Sequence, residues 1–279
     1  MTVLVFGGSS QIGHYLLPLL SARDETVVAV SRTPRASLPG VTWLVGSLAD
    51  RVPSIDDISA IFSFGPLPQF AAWLDSVELP HVPRVIATSS MSAESKRTSE
   101  VPAEREMSQH LRDGENAIAA ACARHGSEWT VLRSTLIYGA GLDKSLTPIV
   151  HRAMRTRVFP MPLGRGLRQP VHAQDLARAA LAALDTPAAA MKILSMGGGE
   201  RLPVADMFAR VRSSLPVDTL PLPFPAWSLR LLRRGVPKLR GPLSRLDDDL
   251  IVDNTEVTRL LGIQPRPFRP DADCWRPLA

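Results

Sequence analysis

Apolar positions in the first half of the chain fall into short continuous runs separated by longer helical patterns. Val3-Leu4-Val5-Phe6, Thr26 to Val30, Val41 to Val45, Ala60 to Phe64, Arg84 to Thr88 and Trp129 to Leu132 read as strands. Gly13 to Ala22 reads as a helix with Tyr15, Leu16, Leu19 and Leu20 on its apolar side, and Glu104 to Arg124 is the longest helical stretch. Strands that are apolar throughout, rather than alternating, are covered on both faces. Helices between such strands supply right-handed crossovers. The expected fold is therefore α/β, a doubly wound parallel sheet of Rossmann type.

After Arg133 the pattern loosens, and prolines cluster at Pro148, Pro160, Pro162 and Pro170. A helix is expected over Ala173 to Leu184, a strand over Met191 to Met196 and a helix over Val204 to Ser213. Leu215 to Pro225 is proline-rich, and short helices and loops follow.

The segment from Val3 to Gly13 is a strand, a glycine turn and a helix start in succession. Gly7 suits the positive φ of a sharp strand-to-helix turn, and Gly13 lets the helix lie close to the strand. The first amides of the helix then face a pyrophosphate, with the helix dipole favouring its charge. Gly7, Ser9, Ser10, Gln11, Ile12 and Gly13 are the expected contacts, Ser9 and Ser10 adding hydroxyls, with Phe64 nearby at the end of the fourth strand. Residues 1–140 are expected to form this dinucleotide-binding core. Residues 141–279 are expected to supply its last elements and a small C-terminal substrate lobe.

The end of the second strand discriminates between NAD and NADP. A carboxylate there binds the ribose hydroxyls, whereas a cation accepts the 2′-phosphate. Here the strand ends Ala29-Val30-Ser31-Arg32, with Arg35 close behind and no acid among them. Arg32 has the planar fork that suits a phosphate. NADP is the expected cofactor, with NAD as second choice.

The spacing Gly7-x-x-Ser10-x-x-Gly13 resembles the Gly-x-x-Gly-x-x-Gly turn of the extended short-chain dehydrogenases/reductases, with Ser10 at the middle glycine. Ser89-Ser90 resembles their serine pair after the fifth strand, and Arg133-Ser134-Thr135-Leu136-Ile137-Tyr138-Gly139 their Arg-Pro-x-x-x-Tyr-Gly segment beside the nicotinamide. Val171-His172-Ala173-Gln174-Asp175-Leu176-Ala177 resembles their Val-x-Val-x-Asp-Val-Ala block, and Pro265-Arg266-Pro267-Phe268 a C-terminal segment. The chain is most similar to the atypical members of the NAD-dependent epimerase/dehydratase group.

One family feature is missing. Aligning Glu115 with a glutamate of the family's long helix puts Met107 and Leu111 where the catalytic Tyr-x-x-x-Lys pair belongs. Neither side chain transfers protons. The only tyrosines are Tyr15 and Tyr138. The resemblance places Tyr138 beside the nicotinamide, which makes it the candidate acid, with Ser89 and Ser90 orienting a carbonyl. Each has a plainer reading, as a packing tyrosine and as the end of a strand. By the same resemblance Arg133 borders the cofactor, and Arg168 and His172 line the substrate cleft. Lys96, six residues past Ser90, either reaches this site or is solvated.

Composition narrows the alternatives. The 279 residues are 45% apolar and 21% charged, as in globular chains. Two distant cysteines, Cys122 and Cys274, exclude a disulfide scaffold and are expected to be free thiols. No apolar run approaches the roughly 18 residues of a membrane span. The N-terminus lacks the marks of a signal peptide, so a cytoplasmic location is expected. The six histidines show no metal-ligand spacing, and no nucleic-acid motif is present. The net charge of +5 mildly favours anionic ligands, and much of it lies between Arg230 and Arg245. That run reads as a solvated helix face, an anionic membrane contact or an anionic substrate contact, and Pro237 and Pro242 interrupt it. Two functions fit: an NADP-dependent oxidoreductase or epimerase acting on a small polar or nucleotide-linked sugar, or a catalytically silent NADP-binding regulator or assembly factor. A homodimer is the candidate assembly.

Overall fold

The computed structural model describes residues 2–23, 25–55, 57–79, 81–224 and 246–276. The basic run from Arg230 to Arg245 lies outside the described residues.

Seven strands form one parallel sheet: β1 (Thr2–Phe6), β2 (Thr26–Ser31), β3 (Val41–Val45), β4 (Ile58–Ser63), β5 (Arg84–Ser90), β6 (Trp129–Ser134) and, after several smaller elements, β11 (Lys192–Met196). Their spatial order is β11-β6-β5-β4-β1-β2-β3. The doubly wound Rossmann sheet expected from the apolar runs is thus what the chain forms.

Alternation along the strands explains why they are apolar throughout. Val3 and Val5 of β1 point to one face, where they pack with α1 (Gln11–Ser21) and α6 (Ala173–Asp185). Leu4 and Phe6 point to the other, against α2 (Leu67–Ser76) and α4 (Pro102–His125). The apolar side chains of the central strands therefore enter a core on one face or the other. At the β1/β4 junction the strand order reverses, which opens the crevice beyond the strand ends where such sheets bind ligands.

The expected strands and helices recur within a few residues, but α2 and α5 (Thr147–Thr156) were not legible as helices. Both carry proline in the first turn, at Pro68 and Pro148. Proline there removes no helical hydrogen bond, so it starts these helices instead of breaking them. The proline-rich stretch after Leu215 contains β13 (Leu220–Phe224), paired in parallel with β8 (Val158–Pro162). Proline is tolerated because this is a two-stranded pair in which every strand is an edge.

The small lobe has its own core. Leu146 and Val150 of the α5 region, Phe159 of β8, Met207 and Val211 of α7 (Val204–Ser213), Phe268 and Trp275 pack around Tyr138. Asp175 of α6, 1% exposed, ties that helix to the C-terminal segment: its carboxylate accepts from the backbone N–H and the guanidinium of Arg266 at 2.9 to 3.1 Å. The two sequence blocks around Asp175 and Arg266 thus meet in one clamp.

Candidate functional site

The turn between β1 and α1 is built as the glycines require. Gly7 has φ +75°, and its carbonyl accepts from Ser10 N at 2.8 Å. Ser10 is the N-cap of α1, its Oγ accepting from Gly13 N at 3.1 Å. The next free amides, those of Gln11 and Ile12, belong to the first turn and have no acceptor within the helix. Gly13 sits so close to the turn that a Cβ would stand 2.4 Å from the Gly7 carbonyl oxygen and 2.5 Å from that of Gly8. Ser9 is exposed on the rim, Ile12 is buried in the core so that only its backbone faces outward, and Phe64 is half-buried with its backbone against Gly7. Gly8 was overlooked in the sequence. A Cβ there would press on Ala29, Leu17 and Trp43, so it seats the turn on the core.

A cavity of about 610 Å³ begins at Gln11 and runs along the ends of β5 and β6 into the small lobe. Its walls include Ser89, Ser90, Lys96, Lys144, Arg168 and Asp249. Two residues of its lining carry a buried polar atom, Gln11 Oε1 and Ser89 Oγ, with no hydrogen-bond partner among the described residues. A buried polar atom without a partner is costly, so both are groups for a ligand to satisfy. Ser90 differs: its Oγ accepts from Ser92 N at 3.1 Å and starts the short helix α3 (Ser92–Ser95). Of the serine pair, Ser89 Oγ makes no hydrogen bond among the described residues, whereas Ser90 Oγ accepts one and keeps its O–H to donate.

Three expected site residues lie elsewhere. Tyr138 is 1% exposed and does not line the cavity. On the two-residue strand β7 (Ile137–Tyr138), Ile137 faces the cavity and Tyr138 takes the opposite side, edge-on to His172 and Phe268. Burial raises its phenol well above the ordinary range. The packing reading of Tyr138 replaces its role as the acid. His172 likewise caps α6: its Nδ1 accepts from Gln174 N at 3.1 Å, and its ring lies between those of Tyr15 and Tyr138. Burial, with Arg266 nearby, lowers its pKa to about 4, which keeps the ring neutral as a cap, and it is not among the residues that line the cavity. Arg133 is also withdrawn. Its guanidinium binds Glu115 at 2.8 and 2.5 Å and Glu94 at 2.9 Å, joining β6 to α4 and α3.

Arg168 does reach the cavity wall, and its guanidinium donates to the carbonyls of Leu167 and Asp248 at 2.9 and 2.7 Å. Its orientation is therefore fixed by the lobe. Beyond the ends of β2 and β3 lies a second hollow of about 490 Å³. Arg32 lines it together with Ser47, Asp50 and Arg51. Arg51 was missed because it follows the third strand, and only the sheet brings it beside Arg32. No group of three or more histidine, cysteine or acidic residues able to hold a metal occurs among the described residues. No described helix is long and apolar enough to cross a membrane.

Residues 83–197 match the model of the NAD dependent epimerase/dehydratase family. No curated protein matched the sequence. Among solved structures, UDP-glucuronic acid 4-epimerase from Bacillus cereus in complex with NAD superposes with a TM-score of 0.70 at 14% identity, covering 99% of this chain and 94% of that one. UDP-glucose 4-epimerase from Thermotoga maritima gives 0.65 at 15% identity, covering 99% and 97%. A short-chain dehydrogenase/reductase superfamily protein from Agrobacterium tumefaciens with bound NAD gives 0.71 at 16% identity, covering 99% and 95%. At these identities the structures speak for the fold alone. Residues 83–197 are similar to the NAD dependent epimerase/dehydratase family model, and the chain shares its fold with these solved structures.

Proposed function

We propose that the chain is an NADP-dependent oxidoreductase of epimerase/dehydratase type, acting on a small polar or nucleotide-linked sugar. The observation that carries this reading is that Gln11 and Ser89, each with an unsatisfied buried polar atom, line one cavity that starts at the glycine turn. The turn fits a dinucleotide: the Gln11 and Ile12 amides and the α1 dipole hold the pyrophosphate. When bound, the nicotinamide supplies hydride transfer.

The chain's own residues do the rest. Arg32 takes the 2′-phosphate, with Arg51 across the same hollow. Ser89 donates to the oxygen of the reacting carbon. Lys144 and Arg168 give the far end of the cavity a positive character that suits the phosphates of a nucleotide sugar. Two of these structural neighbours are described with NAD, so the preference for NADP rests on Arg32 and Arg51 alone. The test is calorimetric titration with NADPH and NADH, followed by turnover with UDP-glucose and UDP-glucuronic acid. NADPH binding at least tenfold tighter supports the reading, and tighter NADH binding overturns the cofactor choice.

A second reading, a silent NADP-binding regulator, is favoured by one observation. Tyr138 is buried away from the cavity, and by the resemblance Met107 and Leu111 stand where the family's proton-transferring pair belongs. Tight NADPH binding without turnover on a broad carbonyl and nucleotide-sugar panel selects it.

A further inference from the structure

Lys96 is only 9% exposed, and it follows directly on the short helix α3 at the cavity wall. Its Nζ lies 3.0 Å from the sulfur of Met107 on α4. A thioether is a weak acceptor and does not titrate, so it holds the ammonium in place without taking its proton. Ser89, 8% exposed and with its Oγ unsatisfied, stands on the same wall. Among the acids near this end, Glu94 accepts from Arg133 and Glu104 accepts from Ser99. Lys144, Arg168, Asp143 and Asp249 face it across the cavity. Both acids there are engaged in the fold: Asp143 accepts from Ser145, Leu146 and Thr147, and Asp249 from Leu167 N.

We propose that Lys96 is the proton donor of this cleft, acting on the oxygen that Ser89 orients. The proposal rests on the dinucleotide reading above. In the reduction of a carbonyl substrate, the carbonyl carbon takes a hydride from the reduced nicotinamide nucleotide as the C=O π bond opens. The oxygen takes a proton from Lys96 Nζ, giving the alcohol. The neutral amine left behind is reprotonated by water, and the oxidised nucleotide departs. In the reverse direction the neutral amine accepts the alcohol proton. A buried lysine suits this task because its amine readily changes protonation state with its surroundings.

The chain has four lysines, Lys96, Lys144, Lys192 and Lys238, so protein labelled with carbon-13 at lysine Cε gives one signal for each. Single Lys→Arg variants assign them. The signals are titrated from about pH 8 to about pH 10.5, around the ordinary lysine range, with saturating NADP⁺ and separately with NADPH, fresh at each pH. The two nucleotides carry the same phosphates and differ by the positive charge of the oxidised ring. A donor that reaches the reacting atoms lies close enough for that charge to lower its midpoint by on the order of one pH unit. Lys192, on β11, should not move.

Equal Lys96 midpoints with both nucleotides bound would overturn the donor role and leave the cofactor reading standing. Failure of calorimetry to detect either nucleotide would overturn the cofactor reading, and this proposal with it. In turnover of a UDP-sugar, Lys96→Met should lose on the order of 10²- to 10⁴-fold in kcat with NADPH affinity unchanged, and full turnover by that variant would also overturn the proposal.

Discussion

Gly13→Ala adds one methyl group at the most confined point of the candidate cofactor site. The new Cβ would stand 2.4 Å from the Gly7 oxygen, 2.5 Å from the Gly8 oxygen and 2.6 Å from the Gly8 carbonyl carbon. All three are backbone atoms of the turn, so none can rotate away. Reaching an ordinary contact requires α1 and the turn to part by roughly 1 Å. Overpacking of this kind costs about 1–3 kcal/mol, and the rigid partners put it near the upper end. Alanine returns about 1 kcal/mol of helix propensity. The expected net loss is about 1–2 kcal/mol, a fall in Tm of roughly 2–4 °C for a chain of this size. Binding should suffer separately, because the Gln11 and Ile12 amides move with the helix. A loss of about 1.4 kcal/mol there is tenfold in Kd. The assay is a thermal melt with and without NADPH, beside a calorimetric titration. A variant with a raised Tm and an unchanged Kd would show that propensity dominates and that the turn does not hold the ligand.

Arg32→Asp should weaken NADPH binding tenfold or more and shift preference toward NADH in paired titrations; unchanged preference would remove Arg32 from the 2′-phosphate site. Tyr138→Phe should keep NADPH affinity and turnover within about twofold and cost about 1 kcal/mol of stability; a hundredfold loss of turnover would restore the tyrosine as the acid. His172 has a folded pKa lowered to about 4 from the ordinary 6.5, so the unfolded chain takes the proton first as pH falls. Stability is then lost between about pH 6.5 and pH 4, by on the order of 2 kcal/mol. Urea melts at pH 7, 6 and 5 should show this slope, and His172→Asn should flatten it while keeping the cap. Arg266→Ala strands the buried Asp175 carboxylate and should cost about 3–5 kcal/mol, read by denaturant midpoint; a cost below 1 kcal/mol would mean the clamp contributes little.

The sheet was legible because its strands are continuous apolar runs, and β3 and α7 fall where the pattern put them. The glycine turn was legible because Gly7 and Gly13 answer local geometric needs that sequence spacing encodes. What sequence hid was direction. Ile137 and Tyr138 are adjacent, yet one faces the cavity and the other the lobe core, and nothing local says which. His172 and Arg133 look like site residues in a one-dimensional motif. Their partners, Tyr15 and Glu115, come from other elements. Lys96 stayed open between reaching the site and being solvated, because its burial depends on α4 folding back over it. The helix after Asp143 left a readable trace, an acid four residues before Thr147 with proline following, and Asp143 does cap that turn.

Calorimetric titration of the unmodified protein with NADPH and with NADH tests the central claim most directly, because the turn, the cavity and the Arg32 hollow are all read as parts of one dinucleotide site. One-to-one binding of both nucleotides, with NADPH at least tenfold tighter and this margin abolished by Arg32→Asp, is the expected result. Binding of neither nucleotide by well-folded protein would contradict the account.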